Sequence, residues 1–258
     1  MILIEKTLFG ERDKVQIAID RLKLYEPPEG YYLAFSGGKD SIIIKRLADM
    51  AGVKYDAHYS LPTIDPPEII YFIREQHPDV HIDRPLESFL KVMIRKGFPD
   101  RHRRWCCALF KERGGDGRLV VTGIRWEESS NRAKRKMVET CYKNPSKRYL
   151  NVIIDWTKAD VWQFIKDENL PYCKLYDEGW DRIGCLFCPM ASGWKRKLEI
   201  ERYPKIAANF RKAFIKLYDN KKQKGISVNR WADGEEMFQW WLQDHRKKKD
   251  PDQQVIFE

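Results

Sequence analysis

A glycine-rich run between serines is the part of this sequence whose residue types point most directly to chemistry. Tyr31–Phe35 is a short apolar run, Ser36–Ser41 reads Ser-Gly-Gly-Lys-Asp-Ser, and apolar residues at helical spacing follow from Ile42. This pattern predicts a strand, a tight loop and a helix. Glycines let a backbone approach an anion closely, and the first turn of a helix attracts negative charge. We therefore expect a phosphate site with Lys39 as its cation, although a turn without a ligand is the alternative.

The loop is not a Walker A motif, because the four-residue spacer and the Gly-Lys-Ser/Thr ending are missing. It resembles the Ser-Gly-Gly-x-Asp-Ser loop of the ATP pyrophosphatase (PP-loop) superfamily, whose members cleave ATP between the α- and β-phosphates. The resemblance implies a nucleotide-binding loop formed by Ser36, Gly37, Gly38, Lys39, Asp40 and Ser41.

The length and composition of the chain limit the classes of protein to which it can belong. The chain has 258 residues, of which 43% are hydrophobic and 33% charged, enough for one good-sized core and a small second module. No apolar run is long enough to span a membrane and the N-terminus does not resemble a signal peptide, so we expect a cytoplasmic protein without membrane contact.

Positive charge exceeds negative charge, with 48 lysines and arginines against 38 aspartates and glutamates. This excess favours contact with nucleic acid or polyphosphate. A solvated protein surface is the alternative for each of the local basic runs, which are Arg101–Arg104, Arg132–Lys136, Lys195–Lys197 and Arg246–Lys249.

Strand-like and helix-like segments alternate along the first two thirds of the chain, which predicts an α/β fold with a doubly wound, mostly parallel sheet. Ser60 and Gly123 end two of the strands, and the carboxyl ends of parallel strands are where ligands bind.

The predicted domains are an N-terminal helix (1–30), a nucleotide-binding domain (31–190) and a helical basic extension (191–258). Strands are predicted at Tyr31–Phe35, Lys54–Ser60, Val80–Asp83, Leu119–Gly123 and Tyr149–Ile154, and helices at Glu11–Tyr25, after Ser41, from Pro66, at Ser88–Lys96, Arg101–Arg113, after Thr157, at Ile200–Lys222 and Glu235–His245.

Four of the six cysteines form two pairs, Cys106-Cys107 and Cys185-x-x-Cys188. Thiolates select soft metals, and four of them suit zinc or an iron–sulfur cluster. Adjacent cysteines are awkward for a zinc site, so a cluster is favoured, with zinc or four metal-free thiols as alternatives. Cys141 and Cys173 stand outside this quartet, as core residues or, for one of them, as a reactive thiol.

A second resemblance covers residues 31 to 190. The cysteine pattern is similar to the [4Fe–4S] signature of adenylyl-sulfate (APS) reductases and their relatives, which share the PP-loop fold. Gly123-Ile124-Arg125 with Ser129 and Arg132 is similar to their Gly-x-Arg-x-x-x-Ser-x-x-Arg segment, whose arginines face the anionic groups of the nucleotide. The resemblance implies an adenine nucleotide alpha-hydrolase-like fold, with Arg125 and Arg132 in the nucleotide site and Cys106, Cys107, Cys185 and Cys188 as cluster ligands.

The sequence departs from the reductases in two places. Those that cleave sulfite from APS or phosphoadenylyl sulfate (PAPS) use a cysteine in a C-terminal Glu-Cys-Gly-like tail, whereas here no cysteine follows Cys188 and Asp250–Glu258 does not resemble that tail. The loop Ser36–Ser41 is complete, although the reductases tend to have a degraded one. The combination looks most like the iron–sulfur ATP pyrophosphatases of sulfur transfer, among them a subunit of DNA phosphorothioation systems.

These resemblances imply an enzyme that cleaves ATP to AMP and pyrophosphate and activates an acceptor, expected to be nucleic acid, for sulfur transfer. Lys39, Asp40 and Arg125 are its expected catalytic residues, with Mg²⁺ near Asp40. A [4Fe–4S] cluster and a sulfur donor protein such as a cysteine desulfurase complete the expectation, and a homo-oligomer is left open. The alternatives are a thiol-dependent APS/PAPS reductase that releases sulfite and a non-catalytic nucleotide-binding subunit.

Overall fold

The computed structural model describes residues 3–8 and 10–243, which form two compact units. The first unit contains the described residues up to Leu86 together with Trp105–Cys185. The second contains Glu87–Arg104 and the described residues from Leu186 onward. The whole Ser36–Ser41 loop therefore belongs to the first unit.

A mostly parallel sheet forms the centre of the first unit. Its strands, together with those of a separate antiparallel hairpin, are β1 (Ile4–Thr7), β2 (Gly10–Asp13), β3 (Tyr31–Ala34), β4 (Tyr55–Ser60), β5 (His81–Asp83), β6 (Leu119–Thr122), β7 (Val138–Thr140) and β8 (Arg148–Asn151). The hairpin pairs β1 with β2, and the sheet has the order β5-β4-β3-β6-β8-β7. Its described strands pair in parallel except at one edge, where β7 lies antiparallel to β8.

Helices cover this sheet and make up the second unit. In the first unit they are α1 (Lys14–Tyr25), α2 (Lys39–Ala51), α3 (Pro67–Gln76), α5 (Trp105–Phe110) and α6 (Lys158–Asp167), and in the second they are α4 (Phe89–Lys96), α7 (Gly193–Arg202), α8 (Pro204–Gln223) and α9 (Gly234–Leu242). Helix α2 packs against α1 and α6, and its side chains Ile43, Ile44 and Leu47 are fully buried. Burial of these apolar side chains fixes the helix that begins at the glycine-rich loop.

The order of the strands reverses beside β3. The chain runs from β3 outward through β4 to β5, and it then returns to β6, on the other side of β3, before reaching β8. In open α/β sheets this reversal leaves a crevice at the carboxyl ends of the two central strands, where ligands bind. The loop that follows β3 and Gly123, which follows β6, both lie at this position in the topology.

The second unit is built around aromatic side chains. The ring of Phe98 stacks on Phe214 at a centroid distance of 5.5 Å, and Phe210 stacks on Trp241 at 5.9 Å. The Trp241 indole N–H donates to the Pro99 carbonyl at 2.7 Å. These contacts join the segment 87–104 to the C-terminal helices, although 81 residues of sequence lie between Arg104 and Leu186.

The predicted fold class is confirmed, since the structure has a mostly parallel sheet with helices and a helical C-terminal region. The division into compact units differs from the predicted domains 1–30, 31–190 and 191–258, because residues 87–104 and 186–190 fall in the helical unit. No described helix has the length and apolar character needed to cross a membrane.

Several element boundaries differ from the prediction. The strand predicted to reach Ile154 ends at Asn151, and the helix predicted at Arg101–Arg113 is reduced to the six residues of α5. The helix predicted at Ile200–Lys222 is interrupted at Tyr203, because Pro204 cannot continue a helix and instead begins the next one. The hairpin β1–β2 and the edge strand β7 were not predicted.

Part of the predicted C-terminal region lies outside the described residues. Helix α9 corresponds to the helix predicted at Glu235–His245, but its predicted end at His245 is not described. The basic run Arg246–Lys249 and the segment Asp250–Glu258 also lie outside the described residues.

The start of α6 provides a test of the local structure. The Thr157 hydroxyl accepts the Asp160 N–H at 3.1 Å, and the Asp160 carboxylate accepts the Thr157 N–H at 2.7 Å. We expect Thr157→Ala to lower the free energy of unfolding, measured by urea titration, by about 1 kcal/mol, because one capping hydrogen bond is lost. Thr140→Ala, at an exposed position in β7, is the control and should change it by less than about 0.5 kcal/mol. Equal losses in the two variants would contradict the capping role.

Candidate functional site

The glycine-rich loop turns sharply between β3 and α2. Gly37 has a φ of +69°, and a Cβ atom at this residue would lie 3.1 Å from Ile69 Cδ1 and from Ile73 Cδ1. Glycine is therefore required for both the backbone conformation and the packing against α3. Gly38 is the N-cap residue of α2 and has extended backbone geometry.

Hydrogen bonds within the loop hold its shape. The Ser41 hydroxyl donates to the Gly38 carbonyl at 2.8 Å, and the Ser36 hydroxyl accepts the Gly38 N–H at 3.4 Å. No described residue accepts a hydrogen bond from the N–H of Gly37 or of Asp40. These two amides, at the start of a helix, are suited to an anionic ligand.

Lys39 is buried, with 5% of its surface exposed. Its ammonium group donates to the Asp181 carbonyl at 3.0 Å, and its Nζ lies 5.3 Å from the centre of the Tyr176 ring. Burial lowers the pKa of Lys39 below its ordinary value, and the Asp40 carboxylate, whose Oδ2 is 3.9 Å from Nζ, opposes this shift. A bound phosphate would therefore stabilise the charged form of this side chain.

Tyr176 is a site residue that sequence reasoning did not assign. Its phenol oxygen accepts the Lys39 backbone N–H at 3.0 Å, and its ring packs edge to face against Trp162 at 5.2 Å. Burial raises the pKa of Tyr176, so the phenol stays neutral. The only sequence signal was its position in Leu175–Trp180, a stretch that leads into the cysteine pair, and 136 residues separate Tyr176 from Asp40.

An ion pair joins the loop to the end of β6. Arg125, 4% exposed, donates from Nε to Asp40 Oδ1 at 2.7 Å and from Nη1 to Glu127 Oε2 at 3.0 Å. Burial opposes the charge of Arg125, but the Asp40 carboxylate outweighs it and raises the pKa of the guanidinium. The sequence predicts that this arginine faces the nucleotide, which stays a prediction; in the structure its guanidinium donates to two carboxylates.

The second predicted arginine is held in a similar way. Glu128 accepts the backbone N–H of Arg125 at 2.9 Å and also forms an ion pair with Arg132. About a third of the Arg132 side chain, 30%, is exposed. Arg132 therefore lies closer to solvent than Arg125 and is the more accessible cation of the two.

The strand ends contribute the remaining predicted residues. A Cβ atom at Gly123 would lie 2.9 Å from Asp40 Cβ and 3.0 Å from the Asp40 carbonyl, so this glycine lets β6 approach the first turn of α2. Ser60, at the end of β4, is half-buried and hydrogen-bonds to Tyr32. The structure thus brings Gly123 and Arg125 to the loop, whereas Ser60 interacts with the neighbouring strand.

The predicted metal sites are not seen as side-chain clusters among the described residues. All six cysteines are described and none forms a disulfide, and Cys106, Cys107, Cys185 and Cys188 are half-buried. No group of three or more His, Cys, Asp or Glu side chains among the described residues is placed to hold a metal ion. Asp40, the residue predicted to lie near Mg²⁺, is already bound by Arg125. The cysteine quartet therefore stays a prediction from the sequence.

The two remaining cysteines differ in environment. Cys173 is buried in the core, and this burial raises the pKa of its thiol. Burial acts in the same direction at Cys141, but hydrogen bonds from the N–H groups of Lys143 and Asn144 and from Tyr149 outweigh it and lower the pKa of Cys141. Cys141 is the more acidic thiol, as a reactive cysteine requires, and Cys173 is a core residue.

The sheet, its switch point and the loop together define a protein of adenine nucleotide alpha-hydrolase-like fold. The phosphoadenosine phosphosulfate reductase domain matches residues 30–191, so the chain belongs to that family. The predicted PAPS reductase family is thereby confirmed, whereas its iron–sulfur branch and the similarity to phosphorothioation systems stay predictions.

Individual relatives agree with this assignment. The uncharacterised protein MJ0066 of Methanocaldococcus jannaschii is 34% identical over 191 residues, which are 67% of this chain and 39% of that protein. An adenosine 5'-phosphosulfate reductase of Oceanobacillus iheyensis is 30% identical over 154 residues, covering 55% of this chain and 60% of that enzyme. The chain thus spans less than two thirds of the length of either relative.

A solved structure also supports the fold. The phosphoadenylyl-sulfate (PAPS) reductase of Candida auris, in a phosphate complex, superposes with a TM-score of 0.50 at 20% sequence identity. The match covers 65% of this chain and 87% of that enzyme. At this level of identity the comparison establishes the shared fold alone.

The close approach of β6 to α2 can be tested by substitution. We expect Gly123→Ala to lower the free energy of unfolding by about 1–3 kcal/mol, because the added methyl group overlaps the Asp40 backbone. Gly184→Ala is the matched control, since no atom lies within 4 Å of a Cβ there and φ is not positive. Urea titration of both variants would measure the difference, and an unaffected Gly123→Ala would show that β6 and α2 are less closely packed.

Proposed function

We propose that this chain binds ATP at the glycine-rich loop and cleaves it to AMP and pyrophosphate, activating an acceptor for sulfur transfer. The main support is the turn at the switch point. The amides of Gly37 and Asp40 donate to no described residue, and Lys39, between them in the loop, carries a buried ammonium group. A pyrophosphate group would satisfy both amides and the lysine. The complete loop suits a ligand with β- and γ-phosphates better than it suits APS.

The proposed reaction has two steps. An oxygen of the acceptor attacks the α-phosphorus of ATP, the bond from that phosphorus to the bridging oxygen breaks, and pyrophosphate leaves with the electron pair. Lys39 and the loop amides stabilise the charge that develops on the leaving group. The outer sulfur of a persulfide on a donor protein, such as a cysteine desulfurase, then attacks the activated phosphorus of the acceptor, and AMP leaves with the adenylylated oxygen. A thiol reductant cleaves the S–S bond that still joins this sulfur to the donor cysteine, so the sulfur stays on the acceptor and the reductant is oxidised to a disulfide. ATP enters with Mg²⁺ as the counterion of its phosphates.

Nucleic acid is the proposed acceptor, and the product would be of the phosphorothioate type. A backbone phosphate offers an oxygen that ATP can adenylylate and that sulfur can replace. The net charge of +10 supports a polyanionic acceptor. The choice of acceptor is based on the sequence resemblance and on the net charge, and the sulfur-transfer step is based on the resemblance.

Arg125 acts in this scheme as a positioning residue. Its guanidinium is occupied by Asp40 and Glu127, so its contribution is to fix the first turn of α2 rather than to contact phosphate. Arg132, with its partly exposed side chain, is better placed to orient the α-phosphate or the acceptor once it leaves Glu128.

ATP cleavage by the isolated protein tests this function. We expect wild-type protein incubated with radiolabelled ATP to release AMP and pyrophosphate, and Lys39→Gln to lower the rate by at least about 100-fold, because the leaving group loses its cation. Lys54→Gln, which removes an exposed lysine of the same unit, is the control and should retain the wild-type rate.

Two outcomes would favour other functions. Sulfite release from labelled PAPS with a thiol reductant, without ATP cleavage, would indicate a reductase like the named relatives. Nucleotide binding without turnover of either substrate would indicate a non-catalytic subunit.

We also propose, from the cysteine pattern alone, that Cys106, Cys107, Cys185 and Cys188 bind a [4Fe–4S] cluster. No step of the reaction above depends on the cluster. Six cysteines outside disulfides are consistent with the reducing cytoplasm, in which we place the protein.

Metal analysis tests the cluster. We expect anaerobically purified protein to contain iron and sulfide in equal amounts and to absorb broadly near the blue end of the visible spectrum. Cys185→Ser should lose both elements, whereas Cys141→Ser should retain them. Zinc without iron, or protein free of metal, would show that the quartet holds no such cluster.

A further inference from the structure

The positive charge of the chain is concentrated in one of its two units. The described residues of the second unit include 18 lysines and arginines but only 8 aspartates and glutamates, whereas the first unit has 26 of each. The whole excess of the chain therefore lies in the helical unit, and the nucleotide-binding unit is neutral.

Several basic side chains of the first unit form ion pairs with neighbouring acids. Arg21 pairs with Asp155 at 2.8 Å and Arg118 pairs with Asp56 at 2.6 Å. In the basic run Arg132–Lys136, Arg132 pairs with Glu128 and Arg135 with Glu139. Two of the four cations in this run are therefore already paired, which weakens it as a site for a polyanion.

Helix α8 of the second unit carries a group of exposed lysines. Its apolar side, which includes Phe210, Phe214 and Leu217, is buried. Lys205, Lys212 and Lys216 are exposed on the opposite side and follow helical spacing, so they form one stripe about 16 Å long. No described acidic residue forms an ion pair with any of the three.

We propose that the lysine stripe, Lys205, Lys212 and Lys216, is the docking surface for the phosphate backbone of a nucleic acid. Ammonium groups in a row, without an acidic partner among the described residues, suit a repeating anion. Lysine acts as a point charge that contacts phosphate without reading sequence. The inference rests on the proposed function for the acceptor's identity and adds where it binds.

An anionic membrane suits this surface less well. A helix that lies in a membrane interface inserts an apolar face into the lipid, but the apolar face of α8 is packed in the protein. Ile215, 41% exposed, is the large apolar side chain on the outer side of the helix. The surface therefore offers charge without the apolar area that membrane insertion needs.

Binding measurements with the full chain test the lysine stripe. The probe is a fluorescent 20-nucleotide DNA of mixed sequence, single-stranded or duplex, followed by anisotropy across a range of salt concentrations. We expect Lys205→Gln/Lys212→Gln/Lys216→Gln to weaken binding by at least about tenfold and to make the dependence of log affinity on log salt shallower by about 2 to 3. The charge-matched control is Lys23→Gln/Lys54→Gln/Lys166→Gln, which removes three exposed lysines of the first unit and should reduce binding much less.

Each result has one interpretation. Equal losses in the two triple variants, with circular dichroism unchanged, would show that net charge alone matters and would overturn the lysine stripe. Absence of DNA binding by the wild type would also overturn it, as would tighter binding to phosphatidylserine vesicles or to polyglutamate than to DNA. Failure of the wild type to cleave ATP would contradict the proposed function while leaving the docking surface intact.

Discussion

The candidate site depends on the buried ion pair between Arg125 and Asp40. It links Arg125, two residues after Gly123 at the end of β6, to the first turn of α2. The pair thereby connects the loops that follow the two strands on either side of the switch point. Removing Asp40 would leave the buried guanidinium of Arg125 with the more exposed Glu127 as its remaining carboxylate partner among the described residues, so we expect the first turn of α2 to lose stability. Gly123 makes the pair geometrically feasible, because a side chain there would separate the strand from the helix.

The other positively charged side chains of the site also contact protein groups that stabilise their charge. Lys39 is held by a backbone carbonyl and an aromatic ring, and Arg132 by Glu128. A nucleotide would therefore enter by replacing protein partners of these groups, and the two open loop amides offer the first contact. Burial lowers the pKa of Lys39, and a bound phosphate would oppose this shift by stabilising the charged ammonium.

Local patterns were sufficient to predict most of the elements that position the site. Strand β3, the loop and α2 follow from glycine chemistry and apolar spacing, and the Thr157 cap marks the start of α6. The partners of the site residues could not be predicted, because Asp40 meets Arg125 and Lys39 meets Tyr176 only after the sheet has formed. The position of residues 87–104 in the helical unit depends on aromatic packing between distant segments, which no local pattern reveals. The cysteine spacing was clear in sequence, yet the described side chains form no metal-binding group.

The unequal distribution of charge has a consequence for how two ligands would find the protein. Long-range attraction speeds association only where a surface has net charge, and it weakens as ions screen it. The unit that carries the glycine-rich loop has as many acidic as basic residues, so it would offer a small nucleotide little net attraction beyond the contacts of the loop itself. The helical unit would instead gather a polymeric anion from a distance, and the ionic composition of the cell would regulate that capture separately from occupancy of the loop.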